Sequence, residues 1–450
     1  MQTSTDPLIQ LNLPDYADEL RRGDAIAEKA VTAYLARIAQ LDGKTGAYRT
    51  VMAQPALDAA RSVDRLLRAG TDLGPLMGAP VAVKEIFAID GVPVSANSTL
   101  DLGFLSLAEG PFIASLRRAG CIILGSTKTT EFAAATINVD KDMPWNPADD
   151  AIKRVCGGSS HGSAAAIRAG MCALSIGSDT GGSVRLPAAL CGIFGYKSSV
   201  GVWPTDGVFP LSPSMDSIGV FTRCAADAAL IFATVEGQPA LQPPEPRQLR
   251  LGLPRQYFFD DCDPAVLAAV EKAVARLRTA GVTIVDVDMP DITAALPVFT
   301  QLLFGEFVAR IGKERLNAAA ATIDRVPWGR IKGAMDITPE MLADLQRQQR
   351  KAVATGLLPD GIDALLSPTA PAQPCPLSEA DSLETATAWN MRAGRYTRPG
   401  NFYGLCGTTI PIEDEGDLPI GLQLMGRRGA DAALLAISRT VEAIVGHRAE

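Results

Sequence analysis

The sequence predicts an α/β protein, one continuous domain in which a β-sheet is covered by helices. Three observations predict it. Short β-type apolar runs alternate with helical ones from Gly78 onward, as sheet-and-helix layers require. The 450 residues are 47% hydrophobic and only 20% charged, so the chain can bury enough apolar surface to offset its ordering entropy. The final β-type run, Pro419 to Met425, has the texture of the earlier ones, and no internal repeat divides the chain.

The elements follow in order. Ala25 to Leu41 and Pro55 to Arg68 carry apolar residues at helical spacing and are expected to stop at Gly43 and Gly70. Pro80 to Val83 reads as a strand, Pro111 to Ala119 as a short helix ended by Gly120, and Cys121 to Leu124 as a strand ended by Gly125. Ser163 to Ala169 reads as a helix and Met171 to Gly177 as a buried strand. A Pro- and Gln-rich connection between Val235 and Arg250 is the best surface excursion, too short to mark a domain boundary. Beyond it come strand Arg250 to Leu253, helix Pro264 to Arg278 and strand Val282 to Val287. A helical stretch from Ile292 to about Leu357 precedes strand Ala364 to Leu366, and helix Ala430 to Val445 closes the chain. The expected organisation is a single domain over 1–450, with a helical segment at 1–74, a chemistry-bearing core at 75–225 and the rest of the sheet and its helices at 226–450.

Composition excludes some functions. Lys plus Arg number 42 against 50 Asp plus Glu, a net charge of −8, which opposes a dedicated nucleic-acid surface. The eight cysteines are scattered, without zinc spacing or a disulfide framework. The start lacks the basic and apolar regions of a secretory signal, and no run reads as a membrane span. A soluble cytoplasmic protein is expected.

Chemistry concentrates between Lys84 and Asp216, where two glycine- and serine-rich runs occur: Cys156 to Ser163, and Gly177-Ser178-Asp179-Thr180-Gly181-Gly182-Ser183-Val184-Arg185-Leu186-Pro187. The second follows a buried strand and opens a helix, since Pro187 fits only a first helical turn. Glycines there let backbone N–H groups converge on one point, as an oxyanion hole requires, with Ser183 beside it as nucleophile. A purely structural turn meets the same description, and spacing alone does not separate the two. Phosphate loops are excluded, because neither the Gly-Lys-Ser/Thr ending nor G-x-G-x-x-G occurs in these runs.

A serine nucleophile needs a base. His161 and His447 are the only histidines; the first opens a helix, where a surface or supporting role is usual, and the second lies near the C-terminus. No G-x-S-x-G elbow surrounds Ser183. Lys84, placed where a buried strand ends, would lose hydration and with it some of its proton affinity; a surface lysine capping a strand is the plainer alternative.

These residues resemble the amidase signature family. Gly78-Ala79-Pro80-Val81-Ala82-Val83-Lys84-Glu85, Gly157-Gly158-Ser159-Ser160-x-Gly162-Ser163 and Gly177 to Ala188 occur in the family's order, and the interval between Ser159 and Ser183 is similar to the family's. Glu131-Phe132, Asn146-Pro147, Gly195-Tyr196-Lys197, Gly207 and Ser214-Met215-Asp216 extend the match across about residues 75 to 225. The resemblance implies a mixed central sheet covered on both faces and a Ser-cisSer-Lys triad. Ser183 would be the nucleophile and Lys84 the base. Ser159, after a cis peptide from Gly158, would relay the proton.

The N–H groups of Thr180, Gly181, Gly182 and Ser183 would form the oxyanion hole. Asp179 and Arg185 would brace the loop as paired charges, and Lys197 and Asp216 would be scaffold. No metal or organic cofactor is implied. The expected partner is a small amide substrate, with no nucleic acid and no membrane; a homodimer is compatible with the family. Departures are Gly125-Ser126-Thr127-Lys128, His161 and Ser198-Ser199, none at a triad position.

Two other functions compete with an amidohydrolase of small carboxamides. The family includes the glutaminase component of tRNA-dependent amidotransferases, against which Val208-Phe209-Pro210-Leu211 speaks; a non-catalytic binding protein is the third. Leu302, Leu303, Phe304 and Phe307 are at helical spacing and fit a core better than a pocket wall, while Trp328 and Trp389 fit either.

Overall fold

The computed structural model describes residues 6–23, 25–412 and 418–446. His447 lies outside them. Among the described residues eleven strands join one mixed sheet: β1 (Tyr48–Val51), β2 (Pro80–Lys84), β3 (Ile122–Thr127), β4 (Leu174–Ser178), β5 (Phe194–Lys197), β6 (Ile218–Thr222), β7 (Arg250–Leu253), β8 (Thr283–Asp286), β9 (Ala364–Pro368), β10 (Cys406–Ile412) and β11 (Ile420–Gly426), in the order β1-β3-β2-β4-β6-β5-β10-β11-β9-β7-β8. β3, β2 and β4 run parallel to one another, as do β9, β7 and β8, whereas β4-β6-β5-β10-β11-β9 pair antiparallel.

Every residue of β2, β4, β5, β6, β9, β10 and β11 is buried. Successive strand side chains point to opposite faces, so both faces of the central sheet are covered, as the family resemblance implies. Edge strands β1 and β8 are less enclosed, with exposed residues in each. The Pro- and Gln-rich connection leads into β7, which pairs with β9 in the same sheet, so it separates nothing.

Two glycine stops fall elsewhere. The second helix runs Ile26–Thr45 through Gly43 and ends at Gly46, whose φ of 65° suits a left-handed cap. Gly43 has open space beside it; a glycine inside a helix costs only about 1 kcal/mol. β3 continues through Gly125, where any side chain would overlap the Thr50 carbonyl of β1. Glycine there admits the neighbouring strand instead of ending its own.

Helix Ile292–Ile311 has the length and composition to cross a membrane, contrary to the sequence expectation, and half of its most apolar stretch is buried inside this fold. Its Glu306 accepts hydrogen bonds from the Ser212 and Ser214 hydroxyls at 2.7 and 2.9 Å.

A glycine-surfaced patch of sheet positions the chemistry. Gly195 of β5 and Gly421 of β11 lie under helix Arg185–Cys191, and a Cβ on either would stand 2.6 and 2.5 Å from the Cβ atoms of Ala188 and Ala189. A Cβ on Gly407 of β10 would come within 2.9 Å of Arg185 Cδ. The helix therefore sits closer to the sheet than side chains would allow. Gly421→Val is expected to lower stability by about 1–3 kcal/mol, as over-packing does, with a parallel loss of activity. Urea unfolding within about 0.5 kcal/mol of wild type, the range of inert surface changes, would contradict this packing role.

Candidate active site

β2 delivers Lys84 at its C-terminal end, and the parallel register Val83↔Ile176 brings the end of β4 beside it. Ligand sites in such sheets form outside the carboxyl ends of strands. Lys84 is fully buried. Its Nζ donates to Ser159 Oγ at 2.8 Å and to Ser178 Oγ at 2.9 Å, and among the described residues no carboxylate lies within ion-pairing distance. Burial pulls its pKa down to about 7, against the more distant attraction of Asp179, Asp216 and Glu85.

Ser159 follows a cis peptide from Gly158. Its carbonyl accepts from Thr129 Oγ1 at 3.0 Å and Thr130 N at 3.2 Å. A Cβ on Gly158 would stand 2.6 Å from the Thr136 carbonyl oxygen, so only glycine admits that approach. The next residue laces this loop to the other run: Ser160 N donates to the Ser183 carbonyl at 3.3 Å, and Ser160 Oγ to the Ser178 carbonyl at 3.2 Å.

The turn from Asp179 to Val184 hangs on one carboxylate. Asp179 accepts from Gly182 N at 2.8 Å, Val184 N at 3.1 Å and Asn401 Nδ2 at 2.8 Å. Arg185 donates to both of its oxygens, at 3.1 and 3.0 Å. Burial alone would raise the Asp179 carboxyl, but the Arg185 charge and these bonds hold it well below the usual carboxylate range. Arg185 also donates to Gln423 Oε1 at 2.8 Å and Asn401 Oδ1 at 2.6 Å. Gly182 has φ of 118°, and a side chain there would overlap Thr397 Oγ1.

One expected oxyanion donor is already engaged. The Gly182 N–H belongs to Asp179, whereas among the described residues no protein group accepts from the N–H groups of Thr180, Gly181 or Ser183. Buried N–H groups are nearly always paired, so three spare ones in a single turn suit an incoming acceptor. Ser183 is half-buried and lines a narrow cleft, open to solvent, together with Gly158, Thr180 and Gly181.

Leu211, Phe299 and Leu303 supply apolar wall. Leu303 thus serves the cleft as well as the core, against the sequence expectation. Trp389 borders a different depression.

His161 is fully buried in the first turn of helix His161–Arg168. Neither ring nitrogen has a protein partner in good hydrogen-bonding geometry. Burial and then the positive charge of Lys84 press its pKa down to about 3, so the ring is neutral. Lys197 is buried and spends its ammonium on the Ser198 and Leu405 carbonyls at 2.9 and 2.6 Å. Asp216 accepts from Thr180 Oγ1 at 2.6 Å. Sequence reasoning missed Ser178 as a Lys84 partner, although its place at the end of a strand parallel to β2 could have suggested it. It missed Asn401 and Thr397 entirely and read Gln423 only as part of the last strand, because their contacts come from the distant last third of the chain.

A family model described as Amidase matches residues 29–435. The 2-amino-5-chloromuconic acid deaminase of Comamonas testosteroni is 37% identical over 97% of this chain and 96% of that protein. A glutamyl-tRNA(Gln) amidotransferase subunit of Geobacter metallireducens is 30% identical over 97% of each. A crystal structure of an amidase superposes with a TM-score of 0.85 at 26% identity, covering 97% of this chain and all of that one. With sequence and fold agreeing over nearly its whole length, the chain belongs to the Amidase family and is a hydrolase of amide C–N bonds.

Proposed function

We propose that the chain hydrolyses a small carboxamide through an acyl-enzyme on Ser183, with Lys84 as base and Ser159 as proton relay. The observation that carries this reading is the 2.8 Å contact between a dry lysine amine and the Ser159 hydroxyl, on a loop tied to the Ser183 carbonyl. With a pKa near 7, a substantial fraction of Lys84 is neutral at neutral pH. Ser159 then donates into that contact.

The steps balance without an external reagent. Ser183 Oγ attacks the amide carbon while its proton passes to Ser159, and the Ser159 proton passes to Lys84 Nζ. The N–H groups of Thr180, Gly181 and Ser183 receive the oxyanion, Gly182 bracing the turn through Asp179. As the C–N bond breaks, Ser159 protonates the leaving nitrogen and regains a proton from Lys84. Water then attacks the ester by the same route, releasing the acid and restoring Ser183. Asp179 and Arg185 support the turn, and the cycle calls on no metal or organic cofactor.

A second reading, the glutaminase component of an amidotransferase, is favoured by the likeness to the amidotransferase protein of Geobacter metallireducens. It predicts glutamine hydrolysis that depends on a further polypeptide. Activity of the isolated chain on simple amides separates the two.

Lys84→Ala and Ser183→Ala are each expected to lower kcat/KM by at least about 10²–10⁴-fold, the range for general acid–base catalysis, with the fold retained by circular dichroism. Ser183→Ala also abolishes labelling by a fluorophosphonate. Full activity in either variant would refute the assignment.

The pH dependence has a definite sign. The active form of Lys84 is the deprotonated one, so kcat/KM rises with pH through a limb near 7 and levels off above it. A profile flat between about pH 5 and 9 would remove Lys84 as base.

A further inference from the structure

The cleft beside Ser183 holds more positive charge than the proposed chemistry uses. Arg330 and Arg398 both line it. Arg398 is 6% exposed and donates to the Asn390 carbonyl at 2.8 Å. Arg330 donates to the Ala134 carbonyl at 2.6 Å and lies 4.6 Å above the Phe304 ring. Among the described residues, neither guanidinium has a carboxylate within ion-pairing distance, and no acidic side chain lines the cleft. The contrast with Arg185 is direct, since that buried guanidinium has Asp179 at 3.0 Å.

Unmatched donors accumulate at the same place. Arg330 Nε is buried without an acceptor, and so is Asn390 Nδ2. The Asn390 amide is held in that orientation because its Oδ1 accepts from Thr136 N at 2.8 Å and Thr136 Oγ1 at 3.0 Å. A buried unpaired donor is costly because it has given up water for nothing, so two in one wall, beside two uncompensated cations, indicate a missing acceptor. Burial, followed by repulsion from Arg398, presses the Arg330 pKa down to about 9. The matching group accepts only, carries negative charge and suits planar guanidinium forks. A carboxylate has all three properties.

We propose that the amide hydrolysed at Ser183 carries a carboxylate elsewhere on the molecule, held by Arg330, Arg398 and the Asn390 amide. This rests on the amidase reading and narrows it to the half-amides of dicarboxylic acids. Glutamine fits less well than its counterpart without the amino group, because among the described residues the cleft offers no acid to receive an ammonium.

The test compares the series from malonamate to adipamate with the corresponding neutral diamides, each pair differing only in carboxylate against carboxamide. For the best chain length, the acid is expected to exceed the diamide in kcat/KM by about 10²-fold, within the range seen when one partner of a buried hydrogen-bonded charge pair is removed, mainly through KM. Arg330→Gln and Arg398→Gln should each bring that ratio toward one. Diamides hydrolysed as well as the acids at every length, or a ratio unchanged in both variants, would overturn the proposal.

A binding measurement separates this proposal from the chemistry and from variant misfolding. Glutarate should raise the melting temperature of Ser183→Ala protein, and glutaramide should not. Equal shifts from both, or none from any dicarboxylate of the series, would overturn the anion site even if simple amides are hydrolysed. Hydrolysis of no amide, with no fluorophosphonate labelling, would instead sink the amidase reading and the proposal with it.

Discussion

An amine enclosed by protein and given two hydroxyls but no carboxylate is the constraint on which the rest depends. Lys84 ends a strand whose every residue is buried, and its two bonding partners are Ser159 and Ser178. A carboxylate in place of either serine would lock the proton on Nζ, because a close opposite charge favours the charged form. Water would do much the same by restoring hydration. Both are kept away by the order of the strands, which sets β2 between β3 and β4 in the covered part of the sheet. The arrangement costs stability. Unfolded, Lys84 would keep its proton up to about pH 10.5; folded, it gives it up near 7. The unfolded state therefore binds more protons between those values, and the penalty is greatest below pH 7 and fades as pH rises toward 10.5.

The second requirement is a turn whose N–H groups stay unspent. Asp179 meets it by taking the Gly182 N–H and two bonds from Arg185, so the loop is fixed without using Thr180, Gly181 or Ser183. A buried ion pair adds little net stability unless its remaining bonds are made. Here Asn401 and Gln423 make them, and both come from beyond residue 400. The glycine-surfaced strands under helix Arg185–Cys191 let this network close. Sheet, turn and the proposed catalytic geometry are thus one construction.

Much of this was legible in the chain, and unevenly so. Lys84 and the two Gly-Ser runs stood out because their residue types are unusual for a core, and local signals located β2, β4, β7 and most helices. Strand β1 (Tyr48–Val51) went unread inside a segment expected to be helical, and so did β5, β6 and β10. Gly195, Gly219 and Gly407 interrupt their apolar pattern, and these are residues the sheet needs for close packing. Gly43 and Gly125 misled for a related reason, since a glycine marks open conformation or close approach, and only the neighbours decide which. The Ser178 bond and the Arg330–Arg398 wall depend on contacts between segments far apart in sequence, which spacing cannot carry. His161 drew notice as a rare histidine, and its setting makes it a neutral buried ring.

The most direct measurement is the titration of the Lys84 side chain itself, followed by NMR of selectively labelled Ser183→Ala protein. The account predicts a midpoint near 7. A midpoint close to the 10.5 of a free lysine would contradict it, because an amine charged throughout the working range cannot accept the Ser159 proton.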